Sequence, residues 1–151
     1  MAAKANPKSL ITHVESVKKG DRKFEDAFQG VSRMILDAGI QKVTVKGKTT
    51  YQFDIFSQGK KHLVGMYDEI NSFVSFVKDA SEGGSSREMA FVLVGEPGNG
   101  KTFFVEYLCA RYREFLTIPV NQKYTFRYTN LDKIGGYGNI KFIESQTYED
   151  P

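Results

Sequence analysis

The sequence predicts an α/β fold: a partial three-layer parallel sheet, preceded by a helical extension at the N-terminus. Three observations support this fold class. An apolar run over residues 89–94 leads into a glycine-rich loop, and an amphipathic segment follows the loop at once. A second run rich in β-forming residues spans 124–130, which is the order of a right-handed βαβ crossover. Two amphipathic helices are predicted before residue 40.

The glycine-rich loop fits the phosphate-binding pattern G-x-x-x-x-G-K-[ST] through Gly95, Gly100, Lys101 and Thr102. Such a loop points backbone N–H groups at a polyphosphate, and the helix N-terminus behind it adds positive potential. Lys101 is predicted to contact the β- and γ-phosphates of ATP, and Thr102 to ligate Mg²⁺. The predicted nucleotide-contacting residues of the loop are Gly95, Glu96, Pro97, Gly98, Asn99, Gly100, Lys101, Thr102 and Phe103. The alternative is a glycine turn that merely carries Lys-Thr.

Composition narrows the class of protein. Hydrophobic residues make up 40% of the 151 and charged residues 26%, which is typical of a globular domain rather than a disordered chain. The single cysteine, Cys109, excludes an internal disulfide and a thiolate metal cage, and its helical position predicts a core residue. With no apolar leader or membrane span in the sequence, we expect a cytoplasmic protein with no membrane partner.

The positive charges do not predict a nucleic-acid partner. The net charge of +3 comes from scattered lysines with mild clusters, and no continuous basic stripe with interleaved aromatics is present. The aromatic residues fall on apolar faces, which favours core positions over base stacking. Neither histidine belongs to a zinc-protease pattern, and no G-x-S-x-G elbow is present.

The N-terminal extension, residues 1–40, is predicted to hold two helices. Asn6 and Pro7 start the first, which ends near Gly20, and Asp21 caps the second, which ends at Gly39. Their apolar faces need a partner, either the nucleotide-binding part or a segment outside this sequence, unless the pair forms a self-contained helical hairpin.

Residues 41–60 form a hairpin or linker, because apolar residues alternate there on either side of a Lys-Gly-Lys turn. Residues 61–151 are the predicted nucleotide-binding part. It contains a helix over 67–80, a flexible linker over 81–86, the first strand and the phosphate loop.

After the phosphate loop, a helix is predicted up to about Phe115. Its buried stripe would be Val105, Leu108, Cys109 and Tyr112. The second strand, over 124–130, is expected to run parallel to the first. A loop over 135–138 is either a ligand contact or a simple turn, and a short strand over 140–143 follows.

Phosphoryl transfer also needs a carboxylate that holds Mg²⁺. No aliphatic run ending in Asp or Asp-Glu follows the phosphate loop. The chain is therefore predicted to be an N-terminal piece, cut before the Mg²⁺-binding acidic strand, that binds nucleotide without turning it over.

The order of turn, helix, linker, strand, phosphate loop and helix resembles the start of an AAA+ ATPase module. The resemblance implies an AAA-like P-loop NTPase fold, with ATP and Mg²⁺ as cofactors and a possible homo-oligomer. It also implies that the backbone of Leu63, Val64 and Gly65 contacts the adenine.

Within that superfamily the chain is similar to the N-terminal domain of PrkA-type serine protein kinases. The similarity rests on Gly65-Met66-Tyr67-Asp68-Glu69-Ile70, on residues 80–83, on the phosphate loop and on the acidic, proline-containing end. It implies a serine/threonine protein kinase acting on a protein substrate. The loop departs from that family, with Glu-Pro-Gly-Asn and Thr102 in place of Pro-Val-Gly-Gly and Ser. Another AAA+ ATPase of chaperone, loader or activator type, or a catalytically inert nucleotide-binding or interaction module, remains an alternative.

Overall fold

The computed structural model describes residues 7–57, 62–63 and 65–145. The fold is mixed α/β, and the chain divides into two compact units. The larger unit spans residues 25–115, and the smaller combines residues 1–24 with 116–151. In the described ranges, no helix is long and apolar enough to cross a membrane.

The larger unit contains the predicted hairpin. Strand β1 (Ile40–Val45) pairs antiparallel with β2 (Lys48–Phe53), with Ile40 opposite Phe53. Lys46 and Gly47 form the turn with φ angles of 50° and 78°. Positive φ at both central residues is the turn geometry that matches the right-handed twist of the two strands.

In the described ranges, the larger unit also contains four α-helices. They are α2 (Ala27–Asp37), α3 (Asp54–Ser57), α4 (Tyr67–Ser81) and α5 (Lys101–Phe115). The bounds of α4 and α5 agree with those predicted from apolar periodicity, because each helix has one face that packs inward.

Aromatic and aliphatic residues from all four helices and β2 form the core. The buried members are Met34, Ile35, Phe53, Phe56, Ile70, Val74, Phe104 and Tyr107. On α5 the buried face differs from the prediction. Phe104 is 3% exposed, whereas Val105 is 46% exposed and Cys109 is also exposed, so the predicted core position of Cys109 is wrong. The larger rings of Phe104 and Tyr107 bury more apolar area and set which side faces inward.

The predicted linker over residues 81–86 is a hydrogen-bonded turn in the structure. It leads into a 3₁₀ helix, Ser85–Glu88. The Gly84 N–H donates to the Asp79 carbonyl at 2.8 Å, and the Ser86 N–H donates to an Asp79 carboxylate oxygen at 2.9 Å. Hydrogen bonding with Ser86 lowers the pKa of the Asp79 carboxyl. A Cβ on Gly84 would lie 2.1 Å from the carboxylate, so any other residue there would displace the Asp79 side chain from its bond with Ser86.

Residues 90–94 belong to neither a helix nor a sheet. Phe91 contacts the rings of Phe73 and Phe76, and Leu93 packs on the core, while Val92 and Val94 are 71% and 89% exposed. This is the inside-outside alternation of a strand. Within the described ranges, however, these residues make no backbone–backbone hydrogen bond.

The smaller unit contains the other sheet. The sheet is formed by the antiparallel strands β3 (Arg127–Thr129) and β4 (Phe142–Glu144). The same unit contains helix α1 (Leu10–Lys18). The expectation of a strand over 124–130 parallel to the first strand is therefore corrected, since both sheets in the described ranges are antiparallel and two-stranded. Pairing β3 with β4 closes only a short local loop, which costs less chain entropy than a long crossover.

Contacts within the smaller unit join its two chain segments. The Arg22 guanidinium lies 4.0 Å from the centre of the Tyr124 ring, a cation–π contact. The Lys23 N–H donates to the Val120 carbonyl at 3.2 Å.

The N-cap of α1 is Ser9, whose hydroxyl accepts from the Thr12 N–H, so the helix does not start at Pro7 as predicted. Asn6 lies outside the described residues.

Asp26, not Asp21, is the N-cap of α2. Its carboxylate accepts from the Gln29 N–H at 2.9 Å, and the Gln29 side chain accepts from the Asp26 N–H at 3.0 Å, a complete capping box. Arg87 also pairs with the carboxylate. Burial alone raises the pKa of Asp26, but the bonds from Gln29 and Arg87 and the charge of Arg87 outweigh it, so the pKa is lowered.

We expect Asp26→Ala to lower the free energy of unfolding by about 1 kcal/mol at neutral pH, because the N-cap is lost. A lowered folded-state pKa stabilises the fold above the unfolded value of about 4, and this contribution is lost as the pH falls through the folded-state pKa. Urea unfolding of both proteins from neutral to acid pH measures the difference. Asp21→Ala is the control. An equal loss from both variants would contradict the assignment of the cap.

Candidate phosphate-binding site

The phosphate loop closes around the side chain of its own lysine. The Lys101 ammonium donates to the Gly95 carbonyl at 2.8 Å and to the Glu96 carbonyl at 2.7 Å. Gly98 and Gly100 have φ angles of +87° and +74°, a region that side chains with a Cβ rarely adopt. The glycines of the motif therefore occupy the positions where this path needs them.

The start of α5 faces the same loop. The Phe104 N–H donates to the Gly100 carbonyl at 2.8 Å, which is the first helical hydrogen bond of α5. The preceding amides, of Lys101, Thr102 and Phe103, therefore belong to the first turn, where N–H groups have no carbonyl partner within the helix. An ammonium and the first-turn amides of a helix beside a glycine loop suit an anion such as a polyphosphate.

Ring contacts hold α5 in place. The Phe104 ring stacks on Phe56 at 5.8 Å and meets Phe73 edge to face at 5.1 Å. One turn further on, the Tyr107 hydroxyl donates to the Ile55 carbonyl at 2.8 Å. These contacts fix the first turn of α5, and hence Lys101, relative to α3 and α4.

A cavity of about 190 Å³ lies beside the loop. Its lining residues come from β2, from α3 and from the segment that leads into α4, and are Tyr51, Gln52, Phe53, Phe56, Ser57, His62, Leu63, Gly65, Met66, Tyr67 and Ile70. The Met66 sulfur lies 3.7 Å from the position that a Cβ on Gly100 would take, so this residue of the cavity wall lies close to the loop.

The structure brings two of the predicted adenine contacts to this cavity. Leu63 and Gly65 both line it, and Val64 lies outside the described residues. The sequence did not predict that the β1–β2 hairpin would form part of the cavity wall. Alternation predicted the strands, but nothing in the spacing of Tyr51 or Phe53 indicated that β2 would face the start of α4.

The chain itself provides few metal ligands here. Thr102 is exposed, and across the described ranges no group of three or more His, Cys, Asp or Glu side chains could hold a metal ion. A Mg²⁺ ion that takes most of its ligands from phosphates and waters does not need such a group. Thr102 is thus the predicted protein ligand at this loop.

No protein family matches the chain significantly, and neither a curated protein nor a solved structure gives a significant match.

We expect Gly98→Ala to weaken ATP binding, because the alanine would push the loop away from its left-handed path at a cost of about 1–2 kcal/mol. No atom lies within 4 Å of the added Cβ, so the effect is one of backbone conformation rather than of a clash. Gly83→Ala is a matched control, with a φ of +83° and nothing within 4 Å of its Cβ. Calorimetric titration with ATP and thermal unfolding measure both variants. Equal affinities for ATP would contradict a role of the loop path.

Proposed function

We propose that this chain binds ATP with Mg²⁺ through residues 95–102. The observation that carries the proposal is the loop closed around Lys101, with left-handed glycines at 98 and 100 and a ring-sized cavity beside it. A phosphate chain would replace the two carbonyls as the partner of the ammonium. Lys101 binds the β- and γ-phosphates, the first amides of α5 bind phosphate oxygens, and Thr102 binds Mg²⁺.

We further propose that the chain is the N-terminal part of an AAA-like P-loop NTPase of the PrkA-type serine protein kinase class. The support is the sequence resemblance, together with Leu63 and Gly65 lining the cavity next to the phosphate loop. Residues 90–94 would be a strand of the three-layer parallel sheet, since their side chains alternate and their backbone is unpaired within the described ranges. A protein substrate and a homo-oligomer follow from the same resemblance.

We expect Lys101→Ala to weaken ATP binding by about tenfold or more, because a hydrogen bond to a charged group contributes about 1.5–3 kcal/mol. Adenosine, which lacks phosphates, should bind both proteins equally. Calorimetric titration with Mg-ATP and with adenosine measures the two affinities.

Lys78→Ala is the charge-matched control for this titration, since Lys78 is 57% exposed on α4 and pairs only loosely with Glu82 at 3.9 Å. If the Lys101 and Lys78 variants bind ATP as tightly as the original chain, or if the original chain does not bind ATP, the phosphate site is wrong.

The chain is expected to show no useful ATP hydrolysis or protein phosphorylation, because Thr102 alone does not supply the carboxylate that orders Mg²⁺. Phosphate release from Mg-ATP over hours, compared with the Lys101→Ala variant, measures this. Steady turnover that the substitution abolishes would show that one of the acidic residues of this chain is the missing ligand.

A further inference from the structure

The cavity beside the phosphate loop has one wall that the phosphate-binding pattern does not include. Three consecutive residues of β2 form this wall, Tyr51, Gln52 and Phe53, opposite the start of α4. We propose that the β1–β2 hairpin is a base-selecting wall of the nucleotide site, in which Gln52 recognises the polar edge of adenine and Asn71 holds the wall in position. This inference rests on the proposed function, because it concerns the same nucleotide.

Asn71 joins the two sides of the cavity. Its side-chain amide donates to the Tyr51 carbonyl on β2 and to the Tyr67 carbonyl on α4, both at 2.7 Å. Tyr51 and Tyr67 both line the cavity, so this one side chain ties β2 to the start of α4 at the cavity. An exposed ion pair between Lys48 and Asp68, 3.3 Å apart, spans the same two elements but contributes little because solvent screens it.

The chemistry of the cavity suits a planar heteroaromatic ring. Phe53, Phe56 and Met66 give the lining of the cavity an apolar character. Polar groups stand among them in the side chains of Gln52 and His62. An apolar slot with a few polar groups is the usual composition of a small-molecule site.

The carboxamide of Gln52 favours adenine over guanine. An amide presents one donor and one acceptor side by side, which matches the amino group and ring nitrogen of adenine. Guanine presents two acceptors at the corresponding edge, which suits arginine or lysine instead. Met66, which lines the cavity, lies close to the loop at Gly100, and the proposal places the base in the cavity and the phosphates of the same nucleotide on Lys101.

The test compares ATP, GTP, adenosine and inorganic tripolyphosphate by calorimetric titration against the full chain, Gln52→Met and Asn71→Ala. Gln52→Met keeps the side-chain length and removes the amide, and we expect the preference for ATP over GTP to fall about tenfold. Gln41→Met is the matched control, because Gln41 faces Gln52 across the hairpin but bonds to Asp54 and does not line the cavity.

Asn71→Ala should weaken adenosine binding at least fivefold and leave tripolyphosphate binding unchanged, a split that general destabilisation does not produce. Thermal unfolding checks that both variants are folded. Unchanged base preference in Gln52→Met, or tripolyphosphate binding to the original chain without adenosine binding, would overturn the hairpin wall and leave the phosphate site standing. If the proposed phosphate site itself is wrong, Lys101→Ala will leave the affinity for ATP unchanged.

Discussion

The contact between the Phe56, Phe73 and Phe104 rings is the constraint on which the larger unit depends. It joins α3, the middle of α4 and the first turn of α5 at one point. Offset and edge-to-face ring pairs have defined geometry as well as large buried area, so they fix orientation in addition to stabilising the fold. The phosphate loop obtains its position from this cluster, because Lys101 is less than one turn away from Phe104.

The elements that sequence predicted well are those whose signal is local. The period of apolar residues gave α4 and α5, and alternation gave β1 and β2, since each pattern follows from the geometry of one element. Strand pairing is not local. Residues 90–94 have the apolar composition of a covered strand, and the sequence predicted that the strand over 124–130 would run parallel to them. No residue pattern could show that β3 would pair with β4 instead.

The candidate site shows the same difference between local and non-local signals in the sequence. The glycines at 98 and 100 and the lysine at 101 are read directly from spacing, because the chemistry of a phosphate loop is contained in consecutive residues. The cavity is made by residues of several elements spread over positions 51–70, and the link through Asn71 exists only once β2 and α4 are packed together. The cap of α2 was misplaced at Asp21, although the sequence carries the capping-box spacing at Asp26, which has Gln29 three residues later where Asp21 has Phe24.

Within the described ranges, residues 90–94 make no backbone–backbone hydrogen bond, and Val92 and Val94 are exposed. An apolar segment of this kind, with no charge and no proline, is a template for strand pairing between molecules.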